Sequence, residues 1–355
     1  RGRQAIVVGD SKQLPPTSFF ARETGGDDIE DEGLVDLESI LDHSRAQGLP
    51  ALMLGWHYRS RHQSLIAFSN HHYYDNRLYL FPSPARRSTR VGVRWEHVAG
   101  GVYDRGGART NLKEAEAVVA AIVRHVCDPD ERRSVGVVTF SQAQQVCVED
   151  LLDRARRDNP ALDAALTRDV HEPLFIKNLE NVQGDERDVM LFSVGYGPDA
   201  GGRTAMAFGP LNRDGGERRL NVAVTRAREL MVVYSTLRPE HIDLSRTSAR
   251  GVHDLKAFLE YAAVGEEALA RHAAVDNDAG AESPLEEQIG QAIVAAGWSI
   301  VPQVGVAGYR IDIGVVDRQN PGRFILAVEC DGAMYHSGAT ARDRDRLRQA
   351  VLERL

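Results

Sequence analysis

One arginine stands where it could bind phosphate: Arg226, within the segment 218–235, RRLNVAVTRARELMVVYS. The first half of this segment carries apolar residues at helical spacing, namely Leu220, Val224 and Ala227. The second half contains an unbroken apolar run at 230–234, typical of a strand buried on both faces of a parallel sheet. A helix that ends in an exposed arginine beside such a strand could direct a permanently charged, bidentate guanidinium at a phosphate. An ordinary surface arginine is the alternative interpretation.

Carboxylates near the end of the chain form a second group with possible chemistry. Asp312 lies in the strand-like segment YRIDIGVV, and Glu329 and Asp331 lie in RFILAVECDG, at positions where apolar residues would be expected. An unpaired carboxylate in a buried strand costs several kcal/mol or shifts its pKa until it is neutral. A divalent cation would reconcile several converging acids with burial. These segments therefore indicate a metal site.

Strand-like and helix-like segments alternate over most of the chain. Apolar strand-like runs lie at residues 5–8, 51–54, 91–98, 135–140, 175–179 and 189–194. Helical patterns lie at 34–47, 116–126 and 142–157, and a further helix is predicted around Leu65 with a polar start at 57–59. This alternation predicts the α/β class, with a parallel sheet sandwiched by helices.

A polar turn at 182–188 contains Gly184 and Glu186 and follows one of the predicted strands. Open α/β sheets bind ligands at the carboxyl ends of their strands, so this turn is a candidate ligand site. A plain acidic turn is the alternative.

The composition is that of a globular protein. The chain has 355 residues, 43% of them hydrophobic and 26% charged, which is enough for two or three domains. It contains no apolar run long enough to span a membrane. Three widely spaced cysteines argue for a reducing cytoplasm and against a disulfide framework or zinc cluster. A net charge of -8 excludes a protein that coats nucleic acid with basic surface, so any nucleic acid would need a local groove.

Five segments, in this order, resemble the third to sixth motifs of superfamily 1 helicases. They are GDSKQLPP, HYRS, VTFS, NVQGDERD and LNVAVTRAR. The resemblance covers residues 5–236 and is strongest to the branch of the nonsense-mediated-decay helicase and its bacterial relatives. It implies two RecA-like domains that hydrolyse ATP in the cleft between them while moving along single-stranded nucleic acid.

The same resemblance implies roles for single residues. Gln13 would sense the γ-phosphate of ATP, and Arg59 and Arg226 would stabilise charge on the transferring phosphoryl group. Glu186 would bind the ribose, and Gly184 would allow the nucleotide a close approach. The residues expected near the strand-binding groove are Asn70, Thr139 and Ser141.

One departure from the helicase pattern bears on the extent of the chain. The sequence has neither a GxxxxGK(S/T) phosphate loop nor the Asp-Glu pair that precedes GDSKQLPP in these helicases. We therefore expect this chain to be the carboxyl-terminal part of a longer protein and to need the missing amino-terminal half for ATP hydrolysis. The expected domains are a remnant of the first RecA-like domain at 1–54, the second at 55–240, a connector at 241–282 with a helix at 252–263, and a further domain at 283–355.

The last domain resembles the PD-(D/E)XK nuclease superfamily, and in particular the very-short-patch-repair-like endonuclease domains fused to bacterial helicases. Its pattern is a helix beginning at Ser283-Pro284, with a buried apolar stripe, then a strand with Asp312, a strand with Glu329-x-Asp331 and a charged helix. The resemblance implies that Asp312, Glu329 and the Cys330 carbonyl bind Mg²⁺ or Mn²⁺, which would activate a water and polarise the scissile phosphate.

Other residues of this domain stay open between two interpretations. Asp331 stands where the superfamily usually has lysine, which leaves the general base unassigned, and His336 could act as acid or base. Glu286 is explained either by helix capping or by a catalytic role. Arg342 and Arg346 lie one turn apart and could hold phosphate, or could belong to a solvated face of alternating charge.

Together these patterns predict the terminal part of a bacterial ATP-dependent DNA helicase fused to a Mg²⁺-dependent endonuclease, located in the cytoplasm. The expected partner is DNA with single-stranded character, and no membrane. One alternative is a docking module with an inactive nuclease fold. Another is an RNA helicase fragment, because helicase motifs of this kind contact the nucleic-acid backbone rather than its bases.

Overall fold

A computed structural model of the chain describes residues 4–15, 39–85, 89–168, 171–270, 283–305 and 310–330. These residues divide into two units, 1–54 and 55–355. In the first unit, helix α1 (Ile40–Ala46) is capped by Ser39, whose side chain accepts a hydrogen bond from the Asp42 amide. The residues 34–38 of the predicted helix lie outside the described part.

The strands predicted at 5–8 and 51–54 are wrong. Neither segment pairs with a strand within the described residues, and the side chains of Ile6, Val8 and Leu52 are exposed. An apolar run becomes a strand only when a neighbouring strand accepts and donates its backbone hydrogen bonds.

Among the described residues of the second unit, five strands form a parallel sheet. They are β1 (Gly92–His97), β2 (Val135–Thr139), β3 (Phe175–Asn178), β4 (Arg187–Ser193) and β5 (Ala227–Ser235). Their spatial order is β1-β5-β4-β2-β3. The predicted buried run at 230–234 lies in β5, between β1 and β4, and is buried throughout. The predicted α/β fold with a parallel sheet is confirmed.

Helices pack on both faces of this sheet. They are α2 (Ser64–Tyr73), α3 (Leu112–Cys127), α4 (Gln142–Asp158), α5 (Pro160–Leu166), α6 (Gly216–Val224) and α7 (Arg250–Val264). The short helix α8 (Glu267–Ala270) follows and contacts α7. On one face α3, α4 and α5 bury Val118, Ile122 and Val148 against β-strand residues such as Leu191 and Val232. No helix in the described ranges is both long and apolar enough to cross a membrane.

The second face is built by α2, α6 and α7, which contact one another. Phe258 of α7 packs edge-on against Phe68 of α2 at 5.3 Å, and Tyr261 Oη donates to the Ser64 carbonyl at 2.6 Å. The expected connector at 241–282 therefore needs correction, because α7 supplies buried core to the α/β domain. We count residues up to Val264 with that domain.

The end of the described chain forms a small domain. It consists of α9 (Pro284–Ala295), β6 (Ile300–Val304), β7 (Ile311–Val316) and β8 (Phe324–Val328), with the strands in an antiparallel sheet of order β6-β7-β8. The start of α9 is confirmed, since the Ser283 side chain accepts from the Glu286 amide. The expected buried apolar stripe of α9 is wrong, because the buried residues of this helix are Glu286 and Gly290. Strand β6 had no expectation from sequence.

An aromatic patch holds this small sheet against the α/β domain. The patch consists of Trp56, Phe81, Val304 and Ile311, with the Trp56 and Phe81 rings stacked at 5.2 Å. Beside it, the Phe324 amide donates to the Pro84 carbonyl at 2.8 Å. The small sheet is thus attached by both apolar burial and a backbone hydrogen bond.

Candidate functional site

Arg226 is buried at the junction between α6 and β5. Helix α6 ends at Val224, where the Thr225 hydroxyl donates back to carbonyls of the last turn, and Arg226 follows as the residue before β5. Arg226 is 3% exposed, and its guanidinium donates to the Val222 carbonyl at 2.7 Å and to Thr225 Oγ1 at 3.1 Å. The prediction of a helix ending in an exposed arginine is therefore wrong on both points.

Arg59 reaches the same junction from a different part of the chain. It lies in the extended segment before α2, which begins at Ser64 rather than at the predicted polar start 57–59. Its Nε donates to Glu186 Oε2 at 2.5 Å, and its Nη1 donates to the Thr225 carbonyl at 3.3 Å. Both predicted arginines thus contact Thr225, so the fold brings them together.

The electrostatics of this junction favour a bound anion. Burial, and then the charge of Arg59, lowers the pKa of Arg226 to about 10, so it remains protonated at neutral pH. Burial and the two arginines lower the pKa of His57 to about 4, so this imidazole is neutral at pH 7. Its Nε2 accepts the Ser60 amide at 3.2 Å. An anion placed here would compensate the cost of burying a guanidinium.

The junction lies at the amino edge of the sheet. Glu186 immediately precedes β4, as Arg226 precedes β5. The expectation of a ligand site at a strand carboxyl end is therefore wrong for this turn. Gly184 has a φ of +92°, and a side-chain carbon there would meet no described atom within 4 Å, so the turn needs glycine and leaves open space.

Gln13 belongs to the first unit. It lies in a short turn where its Nε2 donates to Asp10 Oδ2 at 2.8 Å and its amide donates to the Asp10 carbonyl.

Of the residues expected near the strand-binding groove, Ser141 alone lines a cleft. Asn70 is buried and its amide group pairs with the backbone of Leu78 in both directions, at 3.0 Å each, so it fixes a loop. Thr139 is also buried, and its hydroxyl donates to the Ser141 carbonyl. Both side chains are therefore buried below the surface, and their expected place near a strand-binding groove stays a prediction.

The cleft beside Ser141 has a volume of about 450 Å³ and lies beyond the carboxyl ends of β2 and β3. Its lining includes Tyr103 and Tyr196, whose rings meet edge to face at 5.4 Å, and the exposed Arg105 and Arg109. A neighbouring cleft of about 560 Å³ shares Arg105 and adds Arg203 and Arg246. Sequence reasoning missed these residues because they come from separate loops that share no spacing pattern.

Of the carboxylates predicted for the small domain, Asp312 lies in its central strand and Glu329 lies just after its last strand. Asp312 is half-buried on β7 between the buried Ile311 and Ile313, and its Oδ2 accepts the Cys330 amide at 2.6 Å. Glu329 follows the last residue of β8 and is exposed, so its expected place inside a buried strand is wrong. The hydrogen bond from Cys330 nevertheless ties the end of β8 to Asp312.

Glu286 is buried at the start of α9. Its Oε1 accepts from Ser283 Oγ at 2.9 Å, and its Oε2 accepts from Gln303 Nε2 at 3.0 Å. The other residues predicted for this site, Asp331, His336, Arg342 and Arg346, lie outside the described part of the chain.

The described donors of the small domain are carboxylate and carbonyl oxygens, which suit Mg²⁺ or Mn²⁺ better than zinc. Within the residues that the structure describes, no three His, Cys, Asp or Glu side chains converge on one point.

Comparison with known proteins shows the family of the chain. Residues 37–237, more than half of the chain, match the AAA_12 family model, described as an AAA domain. The chain belongs to the AAA_12 family. Residues 285–355 match a second family model, REase_MTES_1575. The predicted resemblance is confirmed: an AAA_12 domain of the superfamily 1 helicase type, in the senataxin-like branch, is followed by a restriction-endonuclease-like domain.

Relatives of this AAA_12 chain are long helicases. It is 36% identical over 271 residues to an uncharacterized ATP-dependent helicase of Mycoplasma genitalium, covering 74% of this chain and 23% of that protein. It is 25% identical over 252 residues to the probable helicase senataxin of Homo sapiens, covering 67% of this chain and 9% of that protein. It is 24% identical over 237 residues to the 5'-3' DNA helicase ZGRF1 of Mus musculus, covering 65% of this chain and 11% of that protein. The chain thus spans less than a quarter of the length of each.

Proposed function

We propose that this chain is the carboxyl-terminal part of an ATP-dependent DNA helicase or translocase whose last domain is a Mg²⁺-dependent endonuclease. The observation that carries the helicase half is the pair of guanidiniums at Thr225, one of them 3% exposed. Such a pair suits charge stabilisation on a transferring phosphoryl group, because hydrogen bonds hold both guanidiniums in place and Arg226 is shielded from water.

In this proposal Arg59 and Arg226 face the phosphates of ATP, and Glu186 and the open turn at Gly184 lie beside its ribose. Gln13, on the remnant of the first RecA-like domain, senses the γ-phosphate. His57 is neutral at pH 7 and so adds no charge of its own. ATP supplies the phosphoanhydride whose cleavage drives the motor, and the phosphate loop that would hold it belongs to an amino-terminal half.

The cleft beside Ser141 is the proposed track for single-stranded DNA. Its arginines can bind phosphates, and the partly exposed ring of Tyr103, which packs on the buried Tyr196, offers aromatic surface to an unstacked base. Groups of this kind grip a strand without reading its sequence, as a translocating motor requires. The likeness to a protein named as a DNA helicase favours DNA over RNA.

In the endonuclease half, Asp312, Glu329 and the Cys330 carbonyl would hold the cation. The cation would lower the pKa of a bound water and polarise the scissile phosphate. Asp312 is already oriented by the Cys330 amide. Asp331, Glu286 and His336 are proposed for proton transfer or metal binding, and Arg342 and Arg346 for phosphate binding.

A cleavage assay tests the endonuclease half. Single-stranded, duplex and supercoiled DNA are incubated with the chain and Mg²⁺, Mn²⁺ or EDTA. We expect metal-dependent cutting that is lost in Asp312→Ala and in Glu329→Ala. Glu287→Ala, an exposed carboxylate of α9, is the matched control and should cut like the wild type.

A docking module with an inactive nuclease fold is the second candidate function, because Glu329 lies exposed at the end of β8, where a macromolecular partner can reach it. DNA binding without cutting in every metal, with no rise in melting temperature on adding Mn²⁺, would support docking and contradict the endonuclease. If the chain binds single-stranded RNA more tightly than single-stranded DNA, an RNA helicase would be favoured instead.

A further inference from the structure

Gln303 has an unusual backbone conformation within a β-strand. Its φ is +50°, in the left-handed region that residues other than glycine rarely adopt, although it lies inside β6. The register continues on both sides, since Pro302 pairs with Ile313 and Val304 pairs with Ile311. Unfavourable backbone conformations persist where surrounding contacts hold them, and they are enriched at functional sites.

The side chain of Gln303 connects β6 to α9. Gln303 and Glu286 are each 9% exposed, and the Gln303 amide donates to Glu286 Oε2 at 3.0 Å. The other carboxylate oxygen, Oε1, accepts from Ser283 Oγ at 2.9 Å. The N-terminal cap of α9 therefore accounts for one oxygen of this carboxylate. The second oxygen is fixed by a different element, which capping does not require.

Gln303 also occupies the register position opposite Asp312. The two pairs that flank it place Asp312 directly across the antiparallel ladder. Residues opposite each other in such a ladder are close neighbours. Asp312 in turn accepts the Cys330 amide. A row of polar groups thus runs from α9 across β6 and β7 to the end of β8.

We propose that Gln303 is a positioning residue of the endonuclease-like site, which holds the carboxylate of Glu286 beside the strand that carries Asp312. This inference rests on the proposed endonuclease function. A neutral amide donor orients a carboxylate without cancelling its charge, so that charge remains available to a divalent cation. Removal of outer-shell partners of this kind typically costs about 10–100-fold in metal affinity or activity.

Two variants of the full chain separate the side chain from the backbone. Gln303→Met keeps the length of the side chain and removes the donor, whereas Gln303→Gly removes the side chain and suits the positive φ. Glu287→Ala on the exposed side of α9 is the matched control. The readouts are Mn²⁺ affinity by calorimetry, thermal unfolding in EDTA and DNA cleavage.

We expect both Gln303 variants to bind Mn²⁺ about 10–100-fold more weakly than the wild type and to cut more slowly by a similar factor. Gln303→Gly should unfold in EDTA close to the wild-type temperature, which would separate lost positioning from lost folding. Wild-type Mn²⁺ affinity in both variants would overturn the positioning role.

A double-mutant cycle distinguishes failure of this inference from failure of the proposed function. Glu286→Gln and Gln303→Met are combined, and their stabilities are measured in EDTA, where no metal contributes. Coupling between them supports the bond, and additive effects overturn the inference whatever the metal result. If the cycle shows coupling but the wild-type chain neither binds Mn²⁺ nor cuts DNA, the bond exists and the endonuclease function is overturned. The positioning role then fails with that function.

Discussion

Arg59 donates a hydrogen bond to Glu186 at 2.5 Å, although 127 residues separate the two in sequence. The bond uses Nε of the guanidinium, and a second nitrogen is directed at the Thr225 carbonyl. Arg59 is thereby fixed next to the buried Arg226 before any anion arrives. A pair held in this way loses little conformational freedom on binding phosphate.

The first prediction concerns Arg226 in a helicase that joins this chain to an amino-terminal half with a phosphate loop. Arg226→Ala should lower kcat for ATP hydrolysis by about 10³-fold with a smaller change in KM, because its charge acts mainly on the transition state. Steady-state ATPase assays measure this. Arg61→Ala is the control, since Arg61 is 63% exposed and pairs with Glu229 instead. Unchanged kcat in Arg226→Ala would contradict the assignment. The chain alone should show no ATPase activity.

The second prediction concerns the buried Glu114. Its carboxyl accepts the amides of Gly195 at 2.5 Å and Thr236 at 3.0 Å, at the carboxyl ends of β4 and β5. Burial raises its pKa from 4.5 to about 7, so the folded state binds a proton more tightly than the unfolded state. The contribution of Glu114 to stability should therefore be greatest below about pH 4.5 and decline as pH rises through about 7.

Urea unfolding of the wild type and of Glu114→Gln between these pH values tests the point. The variant should be less stable, because its amide nitrogen faces backbone donors, and its stability should fall less steeply with pH. Glu116→Gln, at an exposed position of the same helix, should keep the wild-type slope. Parallel pH profiles for the wild type and Glu114→Gln would refute the assignment.

The third prediction has the opposite pH dependence. Arg228 forms ion pairs with Glu172 and Asp188, and its hydrogen bond lowers the pKa of Glu172 to about 2. The stability from this pair is present above the ordinary glutamate pKa and is lost as pH falls toward about 2. Arg228→Gln should therefore lower the free energy of unfolding at neutral pH. This free energy should also fall less steeply in the variant than in the wild type as the pH is lowered. Arg213→Gln is the control, since Arg213 is 70% exposed and lies 3.9 Å from Glu180. An equal effect of the two variants would contradict the prediction.

The fourth prediction concerns the aromatic patch. Phe81 is 8% exposed and packs against Ile311 of the small domain, so Phe81→Ala should lower the free energy of unfolding by about 3–5 kcal/mol. It should also make the small domain unfold in a separate, earlier transition in calorimetry. Tyr58→Ala, at a residue that is 58% exposed, should leave a single transition. A single transition in Phe81→Ala would show that the patch does not join the domains.

The sequence predicts those strands whose apolar composition follows directly from burial in the sheet. The strands at 135–139, 187–193 and 227–235 are recognisable because both faces of a parallel strand are covered, which leaves an apolar run. The runs at 5–8 and 51–54 read the same way but form no strand, because pairing depends on a neighbour that the run itself does not encode. Strand β6 escaped prediction because Pro302 and Gln303 interrupt its apolar pattern.

The candidate sites divide along a similar line. Arg59, Glu186 and Arg226 were found through motifs, and the fold brings them together at Thr225. The burial of Arg226 was not predictable, because it depends on where α6 ends, and the Thr225 hydroxyl bonds to the last turn of α6 at that point. The arginines of the clefts and Gln303 are brought to their places by the tertiary fold, so no local sequence pattern identifies them.

The attachment of the small domain has a consequence for how DNA would be cut. Trp56 of the aromatic patch lies three residues before Arg59 in the chain, and the Phe324 amide is bonded to Pro84. If the cleft beside Ser141 binds a DNA strand as proposed, the carboxylates of the small domain lie at a set distance from that strand, rather than on a flexible tether. In the proposed helicase–endonuclease, breaks would therefore fall at a constant number of nucleotides from the point where the cleft binds the strand.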